Sequence, residues 1–460
     1  MFKQRLALIL LVAVLLFSAV SVNGQTVAPA SDQDKFIAVI QSKDASRKEK
    51  NDACRHLSLI ATKKAIPALV ELLADEDMNH MARYALETIP DDAVNNALLA
   101  ALDQLEGKPL VGVIGSLGVR GETRAVRPMA KRLDSPDPMV AQAAARALGK
   151  IGTTRAVRAL SQALAGSTGD TRLAVCEGLF RCAEGLGGAQ AIEIYDQLRQ
   201  LKEPHQVRAG GLRGAILARS GDLDLLKASL KNEDYILFSA AAQATLEMPG
   251  VRVTRALNSA LKGGPADHQV LILGILAKRG DPAALPAISA AAQQGDKGVR
   301  IAAIKAIVPI GDASAVGALT ALMKVEDAQI AQAAQASLAA LPGDEVDSVV
   351  HAMLEEGDKD TQLQALKLID LRRMTNAASA LFKAAKDDDA DVRAASIRML
   401  GDLQGAVQFS SLIDLLLEAQ STKEIRATER ALSATCTRDA QSAAGRVTID
   451  RAVYGAVGAG

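Results

Sequence analysis

Between Asp137 and Leu164 the apolar positions fall at three- and four-residue steps: Val140, Ala143, Ala144, Ala147, Leu148 and Ile151. That period puts them on one face of a helix. Asp137 stands where an N-cap belongs, because its carboxylate can accept an orphan N–H of the first turn. Gly152 closes this first helix, since glycine takes the left-handed cap without a Cβ clash. Thr153 or Thr154 caps a second helix, whose apolar face is Ala156, Val157, Leu160, Ala163 and Leu164. One such hairpin cannot bury both of its faces and needs copies on either side.

The copies are present. Val207-Arg208, Val299-Arg300 and Val392-Arg393 mark first helices of other units, and Gly221-Asp222, Gly280-Asp281, Gly311-Asp312 and Gly343-Asp344 mark the turns. The pentapeptide at 123–127, Thr-Arg-Ala-Val-Arg, recurs at 154–158, an offset of 31. Paired helices A and B are expected over 45–74, 78–103, 108–133, 137–165, 170–200, 204–231, 234–262, 266–294, 297–325, 328–356, 359–386, 390–418 and from 422 onward, about thirteen hairpins. Ser31 to Gln41 reads as a single helix covering the first of them.

A unit of this length, with Asp-x-x-Val-Arg opening helix A and Gly-Asp opening helix B, resembles the HEAT-repeat family, in the short bacterial, phycobilisome-lyase-like form. The resemblance covers roughly Asp44 to the C-terminus. It implies an all-α, α-α superhelix (a HEAT-like solenoid), usually with helix B on the concave side. The boundaries expected are 1–24, a signal peptide; 25–43, a linker and N-terminal capping helix; and 44–460, the repeats. A bilin-lyase activity would follow by name only, and the scarcity of aromatics speaks against it.

Composition narrows the function. A chain of 460 residues is too long for one ordinary core, but a repeat array escapes that limit because each unit packs only on its neighbours. Basic and acidic residues balance at 53 each, which argues against a whole-protein nucleic-acid or membrane footprint. Aromatics are 2% of the chain and Trp is absent, so an aromatic-lined pocket is not expected.

Export is expected from the N-terminus. Lys3 and Arg5 precede an uncharged run from Leu6 to Val22, and Val22 and Gly24 suit the −3 and −1 positions of a cleavage site. Ala28-Pro29-Ala30 is a second cleavage candidate, and an uncleaved N-terminal anchor facing outside the cytoplasm is the alternative. No other run is long and apolar enough to span a bilayer. Four cysteines in an exported chain suggest disulfides, yet Cys54 and Cys436 lie far apart in the array. Cys176 and Cys182 are separated by about 9 Å of helix rise, too far for an unstrained bridge. All four are read as small buried residues.

No catalytic, cofactor or metal site is expected. The glycines at 112, 115 and 118 lack the Gly-x-Gly spacing and a preceding strand, and read as a helix with small residues. His56, His80, His205, His268 and His351 fall in different units, without the repeated His-Glu pairs that hold a di-iron centre in one HEAT-like enzyme class. The acidic run Asp387–Asp391 reads as a solvated turn with Asp389 as N-cap, or alternatively as a weak Ca²⁺ site. The glycines of the middle units, among them Gly178, Gly185, Gly187, Gly188, Gly210, Gly211 and Gly214, read as close helix packing or a longer turn, with a hinge as the alternative.

One charged pattern stands out. Arg124 and Arg155 occupy the same slot near the start of helix B in consecutive units, Lys64 fills it two units earlier, and Arg127 and Arg158 share the slot three residues on. A cation there opposes the helix dipole, so propensity does not explain it. From Lys108 to Arg158 there are ten basic residues against three acidic, and from Glu326 to Asp391 fourteen acidic against six basic. Stacking should gather Arg124, Arg127, Arg155 and Arg158 into a patch for an acidic segment of a protein partner, nucleic acid being less suited to an exported protein. The expected function is a non-enzymatic scaffold. The alternatives are a self-assembling envelope component, an accessory subunit that positions a separate enzyme, and an enzyme whose site the sequence does not reveal. The native protein should begin between Gln25 and Ser31 by intact mass. A cytosolic chain retaining Met1 would contradict the export reading.

Overall fold

The helix Pro138–Ile151 shows why the pattern folds as it does. Asp137 caps it, accepting the Met139 N–H at 2.8 Å, and Pro138 fills the first turn. Gly152 ends it at φ 66°, in the left-handed region, with its N–H on the Leu148 carbonyl. Thr153 then caps Thr154–Gly166 through the Ala156 N–H. The helix buries more than the one expected face: Ala141 and Ala145 are buried along with Val140, Ala144, Ala147 and Leu148, while Ala143 and Ile151 are only partly covered. The extra burial arises because a first helix packs on its own partner and on the first helices of both neighbouring hairpins.

The computed structural model describes residues 30–439, apart from 203, 220, 403–408 and 420. The expected signal peptide, the residues before 30 and the tail from 440 lie outside them. Among the described residues the structure is all-α, with no strand and no helix long and apolar enough to cross a membrane. The chain divides into two units, Met1–Ser220 and Gly221–Gly460. In the first, Ala30–Gln41 packs against Arg47–Ile60, which opens the first hairpin. The following first helices are Asn79–Thr88, Gly107–Val119, Pro138–Ile151, Gly169–Leu186 and His205–Ala218. In the second unit they are Tyr235–Ala244, Ala266–Arg279, Lys297–Ile307, Ala328–Ala340, Lys359–Arg372, Ala390–Asp402 and Thr422–Asp439. These match the expected starts within a few residues. The part of the last hairpin expected after its first helix falls outside the described residues. Several B helices begin with a 3-10 turn, as at 63–65, 123–125, 282–284 and 313–315.

Within each unit, successive first helices cross closely enough to exclude side chains. A Cβ on Gly118 would stand 2.9 Å from Ala147 Cα, and one on Gly149 would stand 2.5 Å from Gly178 Cα. In the second unit a Cβ on Gly401 would lie 2.6 Å from Ala431 Cα. The glycines at 112, 115 and 118 are therefore part of a packed helix, as expected. Gly178, Gly211 and Gly214 are likewise pressed against neighbours, while Gly187 and Gly188 turn the chain at positive φ.

Arginines at the ends of first helices join adjacent hairpins. Arg120 donates to the carbonyls of Leu86, Glu87, Ile89 and Asp91, about one repeat earlier. Arg279 reaches those of Thr245, Met248 and Gly250, and Arg372 those of Leu338, Ala339 and Leu341. These carbonyls end the preceding hairpin's first helix, where the last turn has no intrahelical donors and carries partial negative charge. Cys54, Cys176 and Cys182 are buried free thiols, as expected, and burial pushes Cys54 and Cys182 up to about 11. The side chain of Cys436 lies outside the described residues.

Gly149→Leu should lower stability by about 3 kcal/mol or more, because the added atoms meet backbone rather than a side chain that can turn away. The midpoint of the first urea transition measures this. A variant unfolding at the wild-type midpoint would contradict the close crossing.

Candidate functional site

The cation slot sits where each B helix begins. In the third hairpin Glu122 caps the turn 123–125, accepting the Arg124 N–H at 2.9 Å. The same carboxylate takes the Arg124 guanidinium in a two-point grip, Nε at 2.9 Å and Nη2 at 2.7 Å. Arg124 Nη1 donates to Asn96 Oδ1 at 2.8 Å. Glu122 is 7% exposed. Hydrogen bonds from the guanidinium hold its carboxyl below the usual carboxylate range, against the opposing pull of burial. Thus Arg124 neutralises a buried cap carboxylate, which explains a cation at a helix start despite the dipole. Lys64 is engaged too, with Nζ 2.7 Å from Asp34 of the first helix.

The other three residues differ. Arg127 lies on Val126–Lys131 and Arg155 and Arg158 on Thr154–Gly166, and these helices pack side by side. All three side chains are exposed and have no ion pair or hydrogen bond among the described residues. Nearby, Arg132 is taken up by the Pro128 carbonyl at 3.0 Å, the Leu102 carbonyl and Asp103 at 3.0 Å. Arg124 is thus ion-paired at the surface with Glu122, while Arg127, Arg155 and Arg158 carry no such pair among the described residues.

The acidic run from Asp387 to Asp391 is occupied by internal contacts. Asp389 caps Ala390–Asp402 through the Val392 N–H, and Gln362 donates to Asp387 at 2.8 Å. Lys359 bridges Asp389 at 2.9 Å and Asp391 at 2.8 Å, and Lys423 also pairs with Asp391. Hydrogen bonds from these two ammonium groups bring the Asp391 carboxyl down to about 2. The run is an ion-paired turn with Asp389 as its N-cap.

A model of HEAT repeats matches residues 95–179, 253–339 and 346–433, more than half of the chain. The chain belongs to the HEAT-repeat family. No curated protein sequence matches this HEAT protein. Among solved structures, Kap121p bound to Pho4p aligns at TM-score 0.51 and 11% identity, covering 93% of this chain and 54% of that one. Kap95p with RanGDP aligns at TM-score 0.45 and 12% identity, covering 92% and 69%. At such identity the likeness is one of fold. The HEAT protein spans about half the length of the Kap121p chains it matches.

The arginine clamps at 120, 279 and 372 went unread in the sequence, although Arg120-Gly121 and Arg279-Gly280 mark the end of a first helix before its turn. Glu122→Gln should destabilise the HEAT protein by on the order of 1 kcal/mol at neutral pH, discounted for the half-exposed arginine. Because the folded carboxyl titrates below its ordinary value, the wild-type advantage is full above the unfolded pKa of 4.5. It is lost as pH falls through the folded value. Thermal melts of both proteins at neutral pH and below pH 4.5 should therefore converge in acid. An advantage that persists in acid would rule out the pairing.

Proposed function

We propose that this HEAT protein is an exported, non-enzymatic scaffold for a protein partner, and that Arg127, Arg155 and Arg158 receive an acidic segment of that partner. The carrying observation is three exposed guanidinium groups without internal partners among the described residues on two packed B helices, whereas Lys64, Arg124 and Arg132 are each paired with a carboxylate. Arginine suits this role because its planar fork takes a carboxylate at two points. The fold supports the reading: repeat arrays offer extended surfaces, and Kap121p of the same fold is described as bound to Pho4p. The apolar, positively flanked N-terminus supports export.

The test starts with a pull-down from the exported fraction, the partner identified by mass spectrometry and its binding kinetics measured. Replacing Arg127, Arg155 and Arg158 together by Ala should slow association about tenfold at low salt and flatten its salt dependence. Arg124→Ala should have a smaller effect on association, since its charge is already matched by Glu122. If the triple variant associates as fast as wild type at every salt concentration, the patch is a solvated face and the reading fails.

A further inference from the structure

A second cationic surface lies in the other unit, on A helices. Ala390–Asp402 and Thr422–Asp439 pack against each other and leave a groove of about 480 Å³ between their outer faces. Arg398 lines one wall and Arg426 and Arg430 the other, over a floor that includes Ala394, Ala395 and Ala427. The three arginines are exposed and have no hydrogen bond or ion pair among the described residues. Their surroundings make this unusual. Lys359 and Lys423 are paired with Asp391, Lys386 with Glu418 at 2.8 Å, and Arg393 with the buried Glu424 at 2.9 Å. Asp391 also lines the groove, but its charge is matched by the two lysines. Like charges four residues apart on a helix disfavour it, and neither Arg426 nor Arg430 makes a direct ion pair with a carboxylate among the described residues.

Geometry narrows the ligand. Residues four apart on a helix are separated by about 6 Å of rise. Alternate residues of an extended chain, which point the same way, are about 7 Å apart. The two repeats nearly match, so a strand laid along Thr422–Asp439 can present one carboxylate to each arginine while Arg398 closes the opposite side. The alanine floor lets the backbone lie close. No aromatic side chain lines the groove, so it offers no stacking platform for bases. We propose that this groove binds an extended peptide segment with acidic side chains at alternate positions, Asp/Glu-x-Asp/Glu. The site is distinct from the Arg127, Arg155 and Arg158 patch and stands or falls without it.

The probe is a fluorescein-labelled synthetic peptide with glutamates at alternate positions, titrated with the full chain at low salt and read by fluorescence anisotropy. It should bind at least about tenfold more tightly than its glutamine version and than a peptide of the same composition with the glutamates contiguous. Arg426→Glu with Arg430→Glu should remove that advantage, with the helical circular dichroism unchanged, and Arg398→Glu alone should weaken it. The triple alanine variant of the first-unit patch should bind this peptide like wild type, which separates failure here from failure of the scaffold reading. Equal binding by the folded Arg426→Glu/Arg430→Glu variant would overturn the proposal. So would equal binding of the contiguous peptide, or displacement of the probe by a lower concentration of a single-stranded oligonucleotide of equal charge.

Discussion

A two-helix unit of about 31 residues has an apolar face on each side and no core of its own. That constraint places the structure's stability between units rather than within them. It explains why first helices bury more of their circumference than a one-face pattern suggests. It also explains why glycine or alanine stands on both sides where Gly118 meets Ala147, Gly149 meets Gly178 and Gly401 meets Ala431. At Gly149 and Gly178 the backbones approach so closely that dispersion contacts replace side-chain packing. The arginine clamps act across the same junction, supplying donors to carbonyls that a helix end leaves without partners.

Charge follows the same logic with smaller stakes. Arg47 pairs with Asp77, Arg146 with Glu177 and Lys297 with Asp327, each close to one repeat along the chain. These pairs are largely exposed and each contributes little by itself. Arg393 and Glu424 differ, because Glu424 is 2% exposed and loss of its partner would strand a charge. Against this paired background an arginine without an internal carboxylate becomes informative. Overall charge neutrality conceals it, since the 53 basic and 53 acidic residues are neither evenly spread nor uniformly matched.

Much of the fold was legible in the residues. Asp137, Gly152 and Thr153 each act through local hydrogen bonds, so their sequence positions suffice to place helix ends. The hairpin boundaries follow for the same reason. The cation slot was legible only in part. Arg155 has no internal partner among the described residues, but the identical slot at Arg124 is ion-paired because Glu122, two residues before it, is a buried cap; at the equivalent place Thr153 carries no charge. The groove of Arg398, Arg426 and Arg430 was not legible, because it exists only once two A helices are laid side by side. The clamps also escaped notice, since their acceptors are main-chain carbonyls, which no residue type announces.

The crossing of Gly149 over Gly178 constrains how such a chain can lengthen. Adding one residue to an A helix turns everything after it by about 100°. The glycine would then leave the crossing, and the arginine at the helix end would swing away from its carbonyls. Inserting a whole hairpin restores every one of these registers at once. Growth in steps of a complete repeat therefore keeps these contacts where growth by single residues would not, and Thr-Arg-Ala-Val-Arg at 123–127 and again at 154–158 stands in one register in two successive repeats.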